Sequence, residues 1–280
     1  MPRFFDVHTH AHFAAFEDDY KETIQRALDS DIWLVNVGTQ KDTSAKAVEV
    51  ANNYKEGVYA AIGLHPIHTE KSFHDVSELG ADDKAKAFTS RGEVFDHDYY
   101  LRLGRDEKVV AIGECGLDYY HLGEESKKKQ EATFVSQIEL AKELDKPLMI
   151  HCRNAFSDLI GIIKRESSKL VGPIPGIIHF FTGTERDAAE LKEMGFYFSF
   201  GGVTTFARDY DPAIKSIGIE RVLLETDAPY VTPAPYRGKR NEPAYVSYVA
   251  GKMAEVLDTD VETISKMTTA NALRVLRIRP

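Results

Sequence analysis

Two histidines separated by one residue, His8 and His10, close the apolar run FFDVHTH that begins at Phe4. A neutral imidazole offers one ring nitrogen as a lone-pair donor, and the two-residue period of a strand puts both rings on one face. Such a pair is suited to chelate a metal ion. Comparable groups end the later apolar runs: His65 in VYAAIGLH, Glu114 in VVAIGE, His151 in PLMIHC, His179 in GIIHFF and Asp227 in RVLLETD. A lone histidine in an apolar strand is usually a hydrogen-bonded core residue. Imidazoles and carboxylates at so many strand ends together point to metal chemistry instead.

The set mixes imidazole and carboxylate without thiolate, which suits Zn, Mn, Fe or Mg rather than a cysteine-rich structural zinc site. It also holds more donors than one ion with an open position needs. Two divalent ions, drawn from Mg, Mn or Zn and sharing a carboxylate, account for the surplus and would position a water for in-line attack on a phosphoester. Glu114 is the expected bridge, because it ends a central strand and is followed by Gly116, which relieves crowding. Asp227 could be a metal ligand, a general base, or both. Glu225, two residues earlier and on the same face, sits deeper and is expected to orient a ligand. Arg153 could hold a substrate phosphate or carboxylate through paired hydrogen bonds, or form a salt bridge at the rim.

Other candidates carry less. His12, His68, His74, His97 and His121 fall in loops without a paired ligand and are read as surface or supporting residues. Tyr119, Tyr120, Phe181 and Tyr230 could stack on a splayed strand end near the mouth, although Phe180 and Phe181 are expected to serve packing first. The Lys127–Lys129 run reads as a solvated helix face. No GxSxG elbow or Walker A loop occurs, and neither Cys115 nor Cys152 has the setting of a nucleophile, so covalent catalysis is unsupported.

The elements that must bring these groups together are legible in the pattern. Eight apolar, β-branched runs start at Phe4, Ile32, Val58, Val109, Pro147, Gly176, Phe196 and Arg221, with amphipathic helical stretches such as Tyr20–Leu28, Ser44–Tyr54 and Lys127–Leu144 between them. A helical pair ends the chain. This alternation predicts the α/β class and a (β/α)8 barrel, one domain over 1–280, whose strand ends face a common crevice. No GxGxxG turn follows the first strand to favour an open sheet. The segment at about 66–108 is longer than a simple connection and is expected as an insertion on the active-site face, a partial cover.

With 280 residues, 43% hydrophobic and 28% charged, the chain has the composition of a soluble globular protein. Its net charge of −9 provides no global field for collecting nucleic acid, so such a substrate must be held locally, where bound cations reverse the sign. Two cysteines without a CxxC motif fit a reducing compartment. No signal peptide and no membrane span are read, and the cytoplasm is the expected location.

The motifs DVHTHAHF, GLHP, GECGLDYY, IHCRNAF, HFFTG and LLETDAPYVTP occur in an order that resembles the TatD-type metal-dependent deoxyribonucleases among the amidohydrolase-like TIM barrels. The resemblance covers nearly the whole chain. It implies a phosphodiesterase acting on DNA, single-stranded or at frayed ends, often as a 3′ to 5′ exonuclease with two divalent ions. His8, His10, Glu114 and Asp227 would hold one ion, and Glu114, His151 and His179 the other. His65 would contact a substrate phosphate or assist the leaving group, and Asp227 would take the proton of the attacking water. Cys115, Phe180 and Asn154 depart from the family's pattern without removing a ligand. Two other readings stand beside this one: a hydrolase of a small ester, phosphoester or aminoacyl-tRNA on the same barrel, and a non-enzymatic metal-stabilised scaffold.

Overall fold

The computed structural model describes residues 1–71, 73–74, 88–89, 91–120 and 124–279. Strands β1 (Phe4–Thr9), β2 (Ile32–Val37), β3 (Val58–Ile62), β4 (Val109–Asp118), β5 (Leu148–Arg153), β6 (Gly176–Ile178), β7 (Tyr197–Phe200) and β8 (Val222–Leu224) are all parallel. Each pairs with its neighbours in sequence, and β8 pairs with β1 to close the ring. The expected (β/α)8 barrel of a single domain is therefore present, with the eight strands at the predicted places. Helices α1 (Tyr20–Asp29), α2 (Lys41–Asn52), α3 (His97–Gly104), α4 (Glu124–Leu144), α5 (Phe156–Arg165), α6 (Glu185–Glu193) and α7 (Asp211–Ile217) occupy the crossovers, and α8 (Val246–Val256) and α9 (Val261–Val275) follow β8. Among the described residues no helix is long and apolar enough to cross a membrane.

Alternation sorts the strand residues into two apolar layers. Phe4, Leu34, Ala60, Ile112, Ile150, Ile178, Phe198 and Leu224 face the helices in the larger core. Phe5, Val7, Val35, Ala61, Met149, Ile177, Tyr197 and Leu223 fill the barrel, together with Leu273, Val275 and Leu276 at the end of α9. The hydroxyls of Ser265 and Thr269 on α9 donate to the carbonyl of Arg3, just before β1, so this helix floors the N-terminal end. The opposite end, where the strands finish, is left for polar groups.

Strict alternation is broken in the two strands that matter most. In β1 the register runs Asp6 to Leu34 but Thr9 to Asn36, so three steps on β1 match two on β2. In β4 the register runs Ile112 to Leu148 and Cys115 to Ile150, again three steps against two. Each is a one-residue bulge, the device that re-aims a side chain beside a site. In β1 it leaves Val7 and His8 both facing inward. In β4 it lets Ile112 and Cys115 both face the helices, so that Glu114, Gly116 and Asp118 point into the barrel.

The segment at 66–108 divides into parts. Residues 97–104 are the crossover helix α3, with Tyr100 buried and donating to the Gly63 carbonyl at 3.1 Å. Phe95 stacks on Tyr100 at 4.9 Å, so this half of the segment packs on the barrel's flank. A short antiparallel pair joins Phe73–His74 to Phe88–Thr89. The rest of the segment expected as a partial cover, residues 72, 75–87 and 90, lies outside the described residues.

Candidate metal centre

Glu114 stands at the middle of the polar end with its two oxygens turned to different partners. Oε2 lies 3.5 Å from His8 Nε2 and 3.8 Å from His10 Nε2, and Asp227 Oδ1 approaches the same two nitrogens at 3.7 and 3.4 Å. Oε1 lies 2.9 Å from His179 Nε2, 3.1 Å from His151 Nδ1 and 3.1 Å from His65 Nε2. One carboxylate thus joins two donor sets. Three overlapping groups, His8–His10–Asp227, His8–Glu114–His179 and His65–Glu114–His151, each keep their ligand atoms within 4.8 Å of one another.

The outer hydrogen bonds decide which ring nitrogens are free to bind. His10 Nδ1 meets the Val37 carbonyl at 2.7 Å, which fixes its proton there and leaves a lone pair on Nε2. His151 Nε2 meets Asp118 Oδ2 at 3.0 Å, which leaves Nδ1 as the inward atom. Lone pairs aimed at carboxylate oxygens in a buried chamber repel unless a cation lies between them, so the donor set fits divalent ions. His65 differs. Its Nδ1 accepts the Ile67 N–H at 3.2 Å, so the neutral ring carries its proton on Nε2, as a donor toward Glu114. The clustered imidazoles and carboxylates sharing Glu114 make this a binuclear divalent-metal site, as expected from the sequence.

Electrostatics follow from the crowding. Burial works to raise the Glu114 carboxyl, but the imidazoles of His65 and His179 and hydrogen bonds from His151 and His179 hold it well below the usual carboxylate range. Burial likewise works against Asp118, and the bond from His151 brings it down to about 2. Asp227 is lowered against burial by His10 and His8. Burial alone would lower His151 and His179, yet Asp118 and Glu114 raise the first and Glu114 and Glu225 raise the second above the ordinary 6.5. In the metal-free chain these two protons therefore stabilise the fold below pH 6.5, and that contribution is lost as pH rises through the raised values. Divalent ions compete for the same nitrogens. Adding metal to weakly buffered, metal-free protein near pH 7 should release protons, and affinity should fall as pH falls. A pH-indicator titration reads the release; affinity unchanged between about pH 8 and 6 would contradict the ligand set.

The structure brings together His8, His10, His65, Glu114, His151, His179 and Asp227. Several expectations need correction. Glu114 does not end its strand: β4 runs four residues further, and the bulge rather than the strand end places the carboxylate. Gly116 does relieve crowding, since a Cβ there, at φ +128°, would lie 2.1 Å from the His151 carbonyl oxygen. Phe181 is 1% exposed and packs on Phe156, Phe198 and Phe200, which removes it from the stacking candidates. Of the histidines read as surface or supporting residues, His12 and His68 are buried, and burial pushes His12 down to about 3. His97 is on the surface, 3.3 Å from Glu143. His121 and the side chain of His74 lie outside the described residues.

Arg153 lies over the Tyr120 ring at 3.6 Å, and no carboxylate among the described residues pairs with it. Tyr230 stands 6.1 Å from His10, and Phe13 stacks on His10 at 4.4 Å as a wall. Glu225 is fully buried, accepts from the Ser199 hydroxyl and lies 3.7 Å from His179 Nδ1, the deep orienting position expected for it. Asp118 was missed, although the two-residue period from Glu114 through Gly116 puts it on the same face. Asp6 was missed too. Its carboxyl accepts the Thr226 N–H at 2.9 Å and hydroxyl at 2.5 Å, tying β1 to β8 beside Asp227.

Comparison with known proteins agrees with this geometry. The family model for TatD related DNase matches residues 5–277. The chain is 40% identical over 277 residues to the uncharacterized metal-dependent hydrolase YabD of Bacillus subtilis, covering 98% of this chain and 99% of that one. It is 32% identical over 279 residues to the 3′-5′ ssDNA/RNA exonuclease TatD of Cronobacter sakazakii, covering 97% of each. Among solved structures, the TatD homolog YjjV of Escherichia coli superposes with a TM-score of 0.79 at 26% identity, covering 99% of both chains.

Proposed function

Because the chain belongs to the TatD related DNase family of metal-dependent hydrolases, we propose that it removes nucleotides from the 3′ end of single-stranded or frayed DNA by hydrolysing the phosphodiester backbone. The observation that carries this reading is the division of the Glu114 oxygens between two donor sets. A second support is the exonuclease relative that aligns over 97% of both chains.

Bound at these sets, two divalent ions would lower the barrier by acting as Lewis acids on the phosphate and by activating water. His8, His10, Glu114 and Asp227 would hold one ion, and Glu114, His151 and His179 would hold the other. Asp118 and Val37 fix the tautomers of His151 and His10 from outside the cluster. Of the two carboxylates in these donor sets Asp227 is the more exposed, and His10 and His8 keep it ionised, so it accepts the proton of the attacking water. His65, held neutral by burial, donates its Nε2–H to a phosphate oxygen. Arg153 pairs with the same phosphate group, and Tyr120 beside it offers a ring face to a base.

Cleavage of single strands labelled at either end tests this. With metal, a 3′ label should appear at once as mononucleotide while a 5′-labelled strand shortens step by step, and EDTA should stop both. Intact DNA alongside turnover of small esters or an aminoacyl ester would overturn the substrate assignment.

A further inference from the structure

Among the described residues, the three most exposed aromatic side chains are Tyr120, Phe206 and Tyr248. All three stand where the barrel strands finish: Tyr120 just past β4, Phe206 in the loop after β7, and Tyr248 at the start of α8 beyond the loop that leaves β8. A guanidinium lies over two of them, Arg153 over Tyr120 at 3.6 Å and Arg237 over Phe206 at 3.9 Å. The first pair belongs to the site already described. The second stands three strands further round the ring, at the far side of the mouth.

More planar surface adjoins it. Tyr236 stacks on Tyr245 at 4.5 Å with the rings 7° apart, Tyr248 meets Tyr236 edge-on at 5.1 Å, and Lys239 Nζ lies 5.3 Å from the Tyr236 ring centre. The neighbouring cations Arg208 and Arg240 are neutralised by Asp211 and Asp19. No ion pair among the described residues holds Arg237 or Lys239, whose contacts are with ring faces. In a chain of net charge −9, free cations over exposed rings suit an anionic ligand with flat apolar parts.

The surface is also fixed to the centre. Asn241 Nδ2 donates to the Thr226 carbonyl at 2.8 Å and to the Tyr230 carbonyl at 2.7 Å, which pins the loop back beside Asp227. The Ala234 N–H donates to Thr205 Oγ1 at 2.9 Å, one residue before Phe206, and joins this loop to the one after β7.

We propose that Phe206, Tyr236, Arg237 and Lys239 form a second strand-binding platform, on which bases remote from the scissile end stack while the two cations hold backbone phosphates. This rests on the nuclease reading and assigns the path of the strand beyond the centre. The decisive comparison uses metal-loaded protein and a fluorescent, slowly cleaved phosphorothioate oligothymidylate of about ten nucleotides. Phe206→Ala combined with Arg237→Ala should weaken binding about tenfold or more, and lower the slope of log affinity against log salt by about 0.7. Both side chains are exposed, so the melting temperature should not move. Met267→Ala, an exposed residue on α9, should bind as the parent does.

Unchanged affinity and salt slope in the double variant would overturn the platform. If the parent binds the oligonucleotide through these residues yet cuts no unmodified DNA, the platform stands and the nuclease reading fails. If the parent cuts DNA while the double variant binds as the parent does, the platform alone fails.

Discussion

Glu114→Gln should abolish hydrolysis, with kcat/KM falling by roughly 10⁴-fold or more. The amide keeps the shape of the side chain but removes the negative charge that both donor sets share. Its nitrogen would also face the His8–His10 set or the His151–His179 set as a donor, where an acceptor is needed. The loss should therefore appear in metal content as well as in turnover. The fold should survive, because the surrounding imidazoles can remain neutral. With their counter-charge gone, His151 and His179 should titrate lower than in the parent, which NMR of the metal-free proteins would read. Circular dichroism unchanged from the parent, with no metal and no activity, is the expected combination. A folded variant retaining two ions and more than a tenth of the parent rate would contradict the bridging role.

Asp227→Asn should cost roughly 10² to 10⁴ in kcat while leaving the second donor set intact, the range associated with losing a positioned proton acceptor. The substitution isolates the charge. Asp227 has φ +53°, and asparagine is the residue that best tolerates this left-handed conformation in place of aspartate. The N–H at this position should therefore continue to donate to the His8 carbonyl, now 2.9 Å away. Glu114, His151 and His179 are untouched, so metal content should fall toward one ion rather than to none. If the residue is a proton acceptor as well as a ligand, saturating metal should not restore the rate. Full rescue by added metal would reduce Asp227 to a ligand alone.

Both predictions depend on features of unequal visibility in the sequence. The barrel was legible because eight apolar runs alternate with helical patterns, and burial on both faces gives each strand its β-branched character. The ligand set was legible because polar residues closing such runs are expensive in a core and must have partners. The two bulges were not. His8 and His10 share a face by period, but whether that face is the inner one depends on the extra residue between Asp6 and Thr9, which only the pairing with β2 reveals. Glu114 points inward for a similar reason, through the bulge in β4 and not through the end of the strand. Asp118 was within reach of the same period-two reasoning, since it follows Glu114 by four residues on a strand assumed to stop too soon. Phe181 looked available for stacking because adjacent residues at a strand end can diverge, and sequence cannot say which one turns into the core. The crossover helix at His97–Gly104 was hidden because it spans only 8 residues, too few for a clear helical repeat. Phe206 and Arg237 come from different loops, and their proximity depends on the bond between Ala234 and Thr205.

If a two-ion centre bridged by Glu114 hydrolyses DNA, ion content and cleavage must rise and fall together. The most direct test is to reload metal-free parent protein and Glu114→Gln with divalent metal, remove excess, and count ions per chain by elemental analysis beside cleavage of end-labelled single strands. The parent should hold two ions and degrade the strand in proportion to its loading, while the variant holds fewer than one and is inactive. Two ions retained by the variant, or full parent activity at one ion per chain, would contradict a bridged two-ion centre.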